Sequence, residues 1–405
     1  MSWRNLWRHR RRSAVVISSI AIGIFAMIFS MGIMNGFNVQ MVENTISTSL
    51  GHIAIHRKGF QENMKLEFRF KPTATIQQAV RERKEVKFYA PRLKVQGMIK
   101  SSETSRGVLI VGIDPEMEKK VSNICDYTSR ENGSGFIKSS SADEILISKG
   151  MADLLNVIVG DKVVLMIQDS NNEIIGVGMH VSGIFQTPVD SFDKYMVFTG
   201  LKKLQEITLA GDDISELTII TKNKDTVDSV ARHISEKIGD VGLEILTWKQ
   251  MAPNLVSAIK LFDNMMFIFF MIIFITVIFS VANTLIMAIM ERFHEIGVMK
   301  CIGTAPNKIF IMIIFEAINL GAVGLMAGLS AGLAAVGILS LTGIDFSFYM
   351  ESMRTWGSGS IIYPTIRLYD IAMAASVVLI TTLTAALYPA VKAARIKPLE
   401  ALHYV

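Results

Sequence analysis

Four stretches of the chain are almost purely apolar, and the remainder mixes polar and apolar positions at short range. The apolar runs cover Ser13 to Met34, Met265 to Met290, Ile309 to about Leu341, and Asp370 to about Val391. Their apolar parts hold no Lys or Arg. A run of about 20 residues crosses a hydrocarbon core of about 30 Å at a rise of about 1.5 Å per residue. The pattern therefore predicts four transmembrane helices. Arg10, Arg11 and Arg12 precede the first run, as in a cleavable signal. A signal core is shorter, about 7–15 residues, and ends in a small-x-small site. No such site follows here, so the run reads as a retained anchor.

Residues of about 37–262 separate the first two runs and read as a folded domain. Strand-like runs are His52–His56, Lys87–Lys100, Gly107–Ile113, Glu144–Ile147, Lys162–Ile167, Gly178–Phe185 and Leu217–Thr221. Helical stretches are Thr75–Arg83, Lys149–Asn156 and Asp225–Ile238, and turn signals fall at Asn132–Gly133, Gly160–Asp161 and Asn171–Asn172. Strands and helices intermix, which predicts an α+β domain. Trp248, Met251, Leu255, Ile259 and Phe262 recur at spacings of three and four. That periodicity predicts one helix running from Thr247 into the second span, or else domain core.

Composition agrees with membrane insertion. Half of the 405 residues are apolar, only 19% are charged, and the mean hydropathy is +0.39. The net charge of +5 does not point to nucleic acid, because the densest basic cluster abuts the first apolar run. Lys and Arg instead set the topology. Arg4, Arg8 and Arg10–Arg12 lie before the first span, Arg292, Lys300 and Lys308 between the second and third, and Lys392, Arg395 and Lys397 after the fourth. The positive-inside rule puts these three segments in the cytoplasm. The expected order is a basic tail (1–12), a first span (13–36), a periplasmic α+β domain (37–262) and a second span (263–290). A cytoplasmic loop (291–308), a third span (309–341), a short periplasmic loop (342–369), a fourth span (370–391) and a cytoplasmic tail (392–405) complete it. Cys125 and Cys301 then fall on opposite sides of the membrane and cannot pair.

The sequence contains no Walker A loop, H-E-x-x-H, C-x-x-C or G-x-S-x-G. It offers no catalytic residue and no metal site. His52 and His56 lie in a strand pattern, where four residues span about 13 Å, too far to share one zinc ion. Glu316 is the one ionisable side chain well inside a span; it reads as a buried structural carboxyl or as a functional group. Asn283 is a second polar candidate within the apolar runs. Gly321, Gly324, Gly328 and Gly332 line the third run, and the last three form G-x-x-x-G-x-x-x-G, which permits close helix approach within the chain or across a dimer.

The 291–308 loop reads as a short amphipathic helix suited to docking. Its pattern is Glu291-Arg292-x-x-Glu295-Ile296-Gly297-x-x-Lys300-x-x-Gly303. This resembles the coupling segment of ABC-transporter permeases of the MacB, LolC/LolE and FtsX superfamily. The C-terminal Tyr388-Pro389-Ala390-x-x-Ala393-Ala394-Arg395-x-x-Pro398-x-Glu400-Ala401-Leu402 is similar to the closing motif of the same group, with Lys397 and His403 as departures. Glu316 matches a glutamate common early in the third span of these permeases. Met34-Asn35-Gly36-Phe37, Gly51-His52-Ile53, the stretch from Ile147 to Leu165, Val181–Phe185 and Asp193-Lys194-Tyr195 resemble the lipoprotein-releasing LolC/LolE type.

The resemblance implies a non-catalytic inner-membrane subunit that transmits motion to its periplasmic domain. ATP and Mg would belong to a separate cytoplasmic ATPase dimer docked on residues 291–305. A second permease chain, the same or related, would complete the complex. The implied activity is lipoprotein extraction for outer-membrane sorting. MacB-like efflux of peptides or toxic small molecules, FtsX-like control of a cell-wall hydrolase, and a membrane-anchored sensor without an ATPase are the alternatives.

Overall fold

The computed structural model describes residues 10–129, 135–239 and 242–397, with the side chains of residues 10–12 left out. Arg4, Arg8, the Asn132–Gly133 turn and the motif positions from Pro398 to His403 lie outside the described residues. The chain forms two units, one built from residues up to 38 with 258–345 and 361 onward, the other from 39–257 with 346–360.

The first unit is helical. Its four long helices are Arg10–Thr45, Pro253–Glu291, Pro306–Thr342 and Leu368–Ala394, each apolar and long enough to cross a membrane. All four outrun the apolar runs that announce them. Apolarity marks where a helix meets lipid, whereas the backbone stays helical until a residue breaks it. Pro306 opens the third helix at its first position, where no N–H is needed, and Pro253 opens the second. Val16, Ile20, Ile24 and Ile28 of the first helix pack with Val281, Ala317, Leu320, Ala374, Val378 and Ala386 of the others. Leu261, Met265, Phe267, Ile268 and Phe279 stay exposed on the second helix, which suits a face turned to lipid.

The third helix meets its neighbours through glycine. A Cβ at Gly324 would stand 2.7 Å from Ile20, one at Gly328 2.7 Å from the Ala21 carbonyl oxygen, and one at Gly332 2.9 Å from Ile28. Those three glycines face the first helix. Gly321 faces the fourth, at 2.6 Å from Thr382. The row thus lies inside the bundle of this one chain.

The second unit is an extracytoplasmic α+β domain on nine strands: β1 Ile53–Arg57, β2 Val86–Lys100, β3 Ser105–Ile113, β4 Glu144–Ser148, β5 Lys162–Gln168, β6 Ile174–Phe185, β7 Met196–Gly200, β8 Glu216–Thr221 and β9 Leu243–Thr247. The order is β3-β7-β4-β6-β5-β2-β8-β1-β9, and β3 also pairs with β2. That extra pairing closes six strands into a ring and leaves β8, β1 and β9 as an open extension. Pairs β3–β7 and β4–β6 are parallel, the others antiparallel. The long β2 serves both parts: Val86–Arg92 pairs with β8, and Arg92–Lys100 with β3. Val95, Ile99, Ile110, Leu165, Val181 and Leu204 fill the ring. Helices Ala74–Arg81 and Val227–Ile238 pack Val80, Val230 and Ile234 on Ile55 and Ile219 of the extension.

One expectation needs correction. Thr247–Asp263 is not one helix. A short turn, Trp248–Met251, ends at Ala252, whose φ of −123° and ψ of 65° are not helical, and the long helix starts at Pro253. Proline disfavours helical geometry in the residue before it, which accounts for the break. Within the connection 342–369, residues 346–360 belong to the extracytoplasmic unit. His52 serves the structure: its Nδ1 accepts the Thr221 N–H at 3.0 Å.

A buried ionic junction sits where β2 passes between the two parts of the sheet. Arg92 donates from Nη2 and Nε to both carboxylate oxygens of Glu118, at 2.6 and 3.1 Å. Lys94 Nζ lies 2.7 Å from Glu216, and Arg92 stands 3.6 Å from the same carboxylate. A third Arg92 donor meets the Ser49 carbonyl in the π-helical turn Ile46–Leu50 that follows the first long helix. Burial holds the Lys94 ammonium below the ordinary lysine range, against the attraction of Glu216.

A second clasp fastens residues 346–360. Arg354 donates from Nη2 to Asp193 at 2.5 Å and from Nε to the Thr187 carbonyl at 3.1 Å. The Asp193 carboxylate also accepts from the Thr187 N–H and hydroxyl. Burial pushes the Asp193 carboxyl up to about 6, despite the Thr187 hydrogen bonds and the Arg354 charge. Its folded value thus exceeds the ordinary 3.8, so protonation favours the folded state. The stabilisation is complete below the ordinary value and disappears as pH rises through 6. Relative to Asp193→Asn, the wild-type chain is expected to lose roughly 2 kcal/mol of stability between about pH 4 and pH 7. Pulse proteolysis of the full chain in detergent across that range measures the difference; a flat difference contradicts it.

Candidate functional site

The connection between the second and third long helices is a short helix, Phe293–Cys301. It is set off at both ends. Arg292 leaves helical geometry with φ −103° and ψ 18°, and Gly303 takes φ +94°, a left-handed value that glycine adopts without strain. Ala305 is extended, and Pro306 restarts the chain as the third long helix.

The buried side of this helix explains most of its motif. Ile296 and Gly297 are buried. Ile296 packs with Ile289, Ile309, Ile313, Ala390, Ala393 and Ile396, which come from the second, third and fourth helices and the segment after them. Arg292 braces the third helix, its Nη1 donating to Glu316 at 3.4 Å, while its Nε donates to Glu295 at 3.1 Å. Lys300 braces the fourth: its Nζ donates to the carbonyls of Ala394 and Ile396 at 2.6 and 2.7 Å. An ammonium at a helix C-terminus satisfies carbonyls that lack an intrahelical partner. Three helix ends are therefore gripped by one nine-residue element.

The outward side is smaller than the sequence suggested. Glu291 and Glu295 are exposed, with the Glu295 side chain at 53%. Ile302, which the motif does not mark, is 80% exposed and flanked by exposed Cys301 and Gly303. A lone isoleucine beside a cysteine gives no sequence signal of exposure. Glu316 belongs to this element through Arg292. Asn283 lies elsewhere, exposed on the second helix.

The Met34–Phe37 motif also acquires a structural meaning. Asn35 Nδ2 donates to Asp370 at 2.7 Å, and both residues are buried. Arg367 donates its N–H to the same carboxylate oxygen at 2.9 Å, closing the start of the fourth helix. Gly36 leaves no room for a side chain, because a Cβ would stand 2.3 Å from the Tyr363 carbonyl oxygen. Phe37 packs edge-on against Phe262. Sequence reasoning used this motif only as a likeness, since Asn35 and its partner are 335 residues apart.

Among the described residues, four long apolar helices with a nine-stranded domain inserted after the first make the architecture of a polytopic membrane protein. Residues 13–237 match the MacB-like periplasmic core domain, and residues 266–398 match the FtsX-like permease C-terminal region. The chain belongs to the MacB/FtsX family of ABC-transporter permeases. It is 23% identical over 403 residues to the lipoprotein-releasing system transmembrane protein LolC of Neisseria meningitidis, covering 96% of this chain and 93% of that one. It is 21% identical over 396 residues to LolE of Haemophilus influenzae, covering 95% and 92%. The crystal structure of the periplasmic region of MacB from Actinobacillus actinomycetemcomitans aligns with a TM-score of 0.36 at 10% identity, covering 54% of this chain and 97% of that one.

Proposed function

We propose that this chain is the permease subunit of an ATP-driven complex that extracts lipoproteins from the inner membrane for outer-membrane sorting. The observation that carries this reading is similarity over nearly the whole length to relatives named for lipoprotein release. The termini and the Phe293–Cys301 helix face the cytoplasm. There Glu291, Glu295 and Ile302 meet a separate ATPase dimer, which holds the ATP and Mg. Arg292, Ile296, Gly297 and Lys300 do not dock. They lock the docking helix to three helix ends, so that a push on it moves those helices together. The continuous helices Arg10–Thr45 and Pro253–Glu291 run on beyond their apolar stretches toward the extracytoplasmic domain and carry the stroke. A second permease chain, a copy or a relative, completes the pair.

Depletion in the native host tests the cargo. Outer-membrane lipoproteins are expected to accumulate in the inner membrane, as read by membrane fractionation and immunoblotting. Normal lipoprotein sorting combined with new sensitivity to toxic compounds would instead support MacB-like efflux.

A further inference from the structure

The residues between the third and fourth helices form a compact segment with an apolar outer side. Phe348 is 91% exposed, Tyr349 57% and Met350 48%, and Trp356 is half exposed. Phe348 and Tyr349 pack edge-on at 5.1 Å, which presents them as one apolar surface. The opposite side is fixed. Arg354 is clasped by Asp193 and the Thr187 carbonyl, and Asn44 donates to the Gly357 carbonyl at 3.0 Å. The aromatic side chains are thus held outward by a backbone that is itself anchored.

The chain on both sides of this segment says what covers it. Ile338 and Leu341 end the third helix exposed, and Leu368 and Tyr369 begin the fourth exposed. Such residues at the end of a membrane helix lie in lipid. Phe348 follows Thr342 by six residues, a reach of at most about 20 Å even when extended. Ile344–Asp345 pairs with Ile361–Ile362, which narrows the base of the segment. Tyr and Trp favour the headgroup level, where an apolar ring and a polar tip are both satisfied. Glu351 is exposed, and the one basic side chain between Ser347 and Trp356, Arg354, is already paired. Electrostatic attraction to anionic headgroups therefore contributes little.

We infer that residues 347–356 are a lipid-binding foot, with Phe348, Tyr349 and Met350 seated in the outer-leaflet interface of the bilayer and Arg354 tying that foot to the extracytoplasmic domain. The foot binds lipid whatever the cargo of the complex.

The test uses the full chain with Cys125→Ser and Cys301→Ser, labelled with an environment-sensitive fluorophore at Phe348→Cys. A matching label at Glu236→Cys, an exposed position on the helix Val227–Ile238, serves as reference. Both proteins are reconstituted into phosphatidylethanolamine–phosphatidylglycerol vesicles. Lipids carrying a nitroxide near the headgroup are expected to quench the label at 348 and spare that at 236, with iodide giving the reverse order. Raising the salt concentration should leave the pattern unchanged. Iodide quenching at 348 equal to that at 236 would overturn the foot. Protection from both quenchers would also overturn it, by placing protein over the segment instead of lipid. A label on Tyr349→Cys provides a second reading if the first variant does not fold.

Discussion

Arg92→Ala is expected to destabilise the extracytoplasmic domain by about 3–5 kcal/mol. Arg92 is the bidentate partner of Glu118, which is fully buried, and the second cation beside Glu216. Its removal leaves one carboxylate buried without a counter-ion and deprives the Ser49 carbonyl of its donor. Desolvating an unpaired charge costs more than the pair ever contributed, which is why truncation of one member is the severe case. Arg92→Lys keeps the charge but not the fork, so it should fall between wild type and alanine. Replacing Arg92, Lys94, Glu118 and Glu216 together by apolar residues of similar volume should cost less than Arg92→Ala alone. Pulse proteolysis of the detergent-solubilised full chain reads the population of the opened domain. A rise of two to three orders of magnitude corresponds to about 3–4 kcal/mol. An Arg92→Ala chain as resistant as wild type would mean that the junction does not hold the two parts of the sheet together.

Gly328→Leu should severely damage the packing of the first helix on the third. Even the Cβ would stand 2.7 Å from the Ala21 carbonyl oxygen, and a backbone atom cannot swing aside as a side-chain tip can. Relief requires the first and third helices to separate along a seam that also includes Gly324 and Gly332. Overpacking costs typically about 1–3 kcal/mol, and this site belongs at the upper end. Gly337→Leu is the control on the same helix, because a Cβ there has nothing within 4 Å. Leucine is the better helix former by up to about 1 kcal/mol, so the control should be neutral or mildly stabilising. Unfolding in SDS followed by circular dichroism separates the two. Equal behaviour of the two variants would show that the glycine seam does not set the packing.

The sequence revealed more of the elements than of their joining. The strand pattern of Lys162–Gln168, alternately exposed and buried, was readable because one face meets the ring core and the other meets water. Met196–Gly200, buried from Val197 onward, and Leu243–Thr247, half-buried through its middle, show no such alternation and were missed. The ring itself could not be read. It depends on parallel pairings such as β3–β7, which join segments more than 80 residues apart, and nothing local encodes a partner that distant. Asn35 and Asp370 illustrate the same limit for polar contacts. In the coupling element, the motif identified the segment but not the division of labour. Ile296, Gly297 and Lys300 turn inward, whereas Ile302, which no pattern marked, faces out. The helix break at Ala252 was legible in hindsight from Pro253, but the apolar period across it masked that signal.

The proposed coupling of this permease to a separate ATPase runs through the face formed by Glu291, Glu295 and Ile302. Affinity purification of the tagged full chain from its native host in mild detergent tests it, with mass spectrometry of the co-purifying proteins. Wild type should bring down a protein bearing a Walker A motif, and a Glu295→Ala/Ile302→Asp chain of unchanged solubility and helix content should not. A wild-type chain without any such ATPase, or a double variant that retains it in full, would contradict the account.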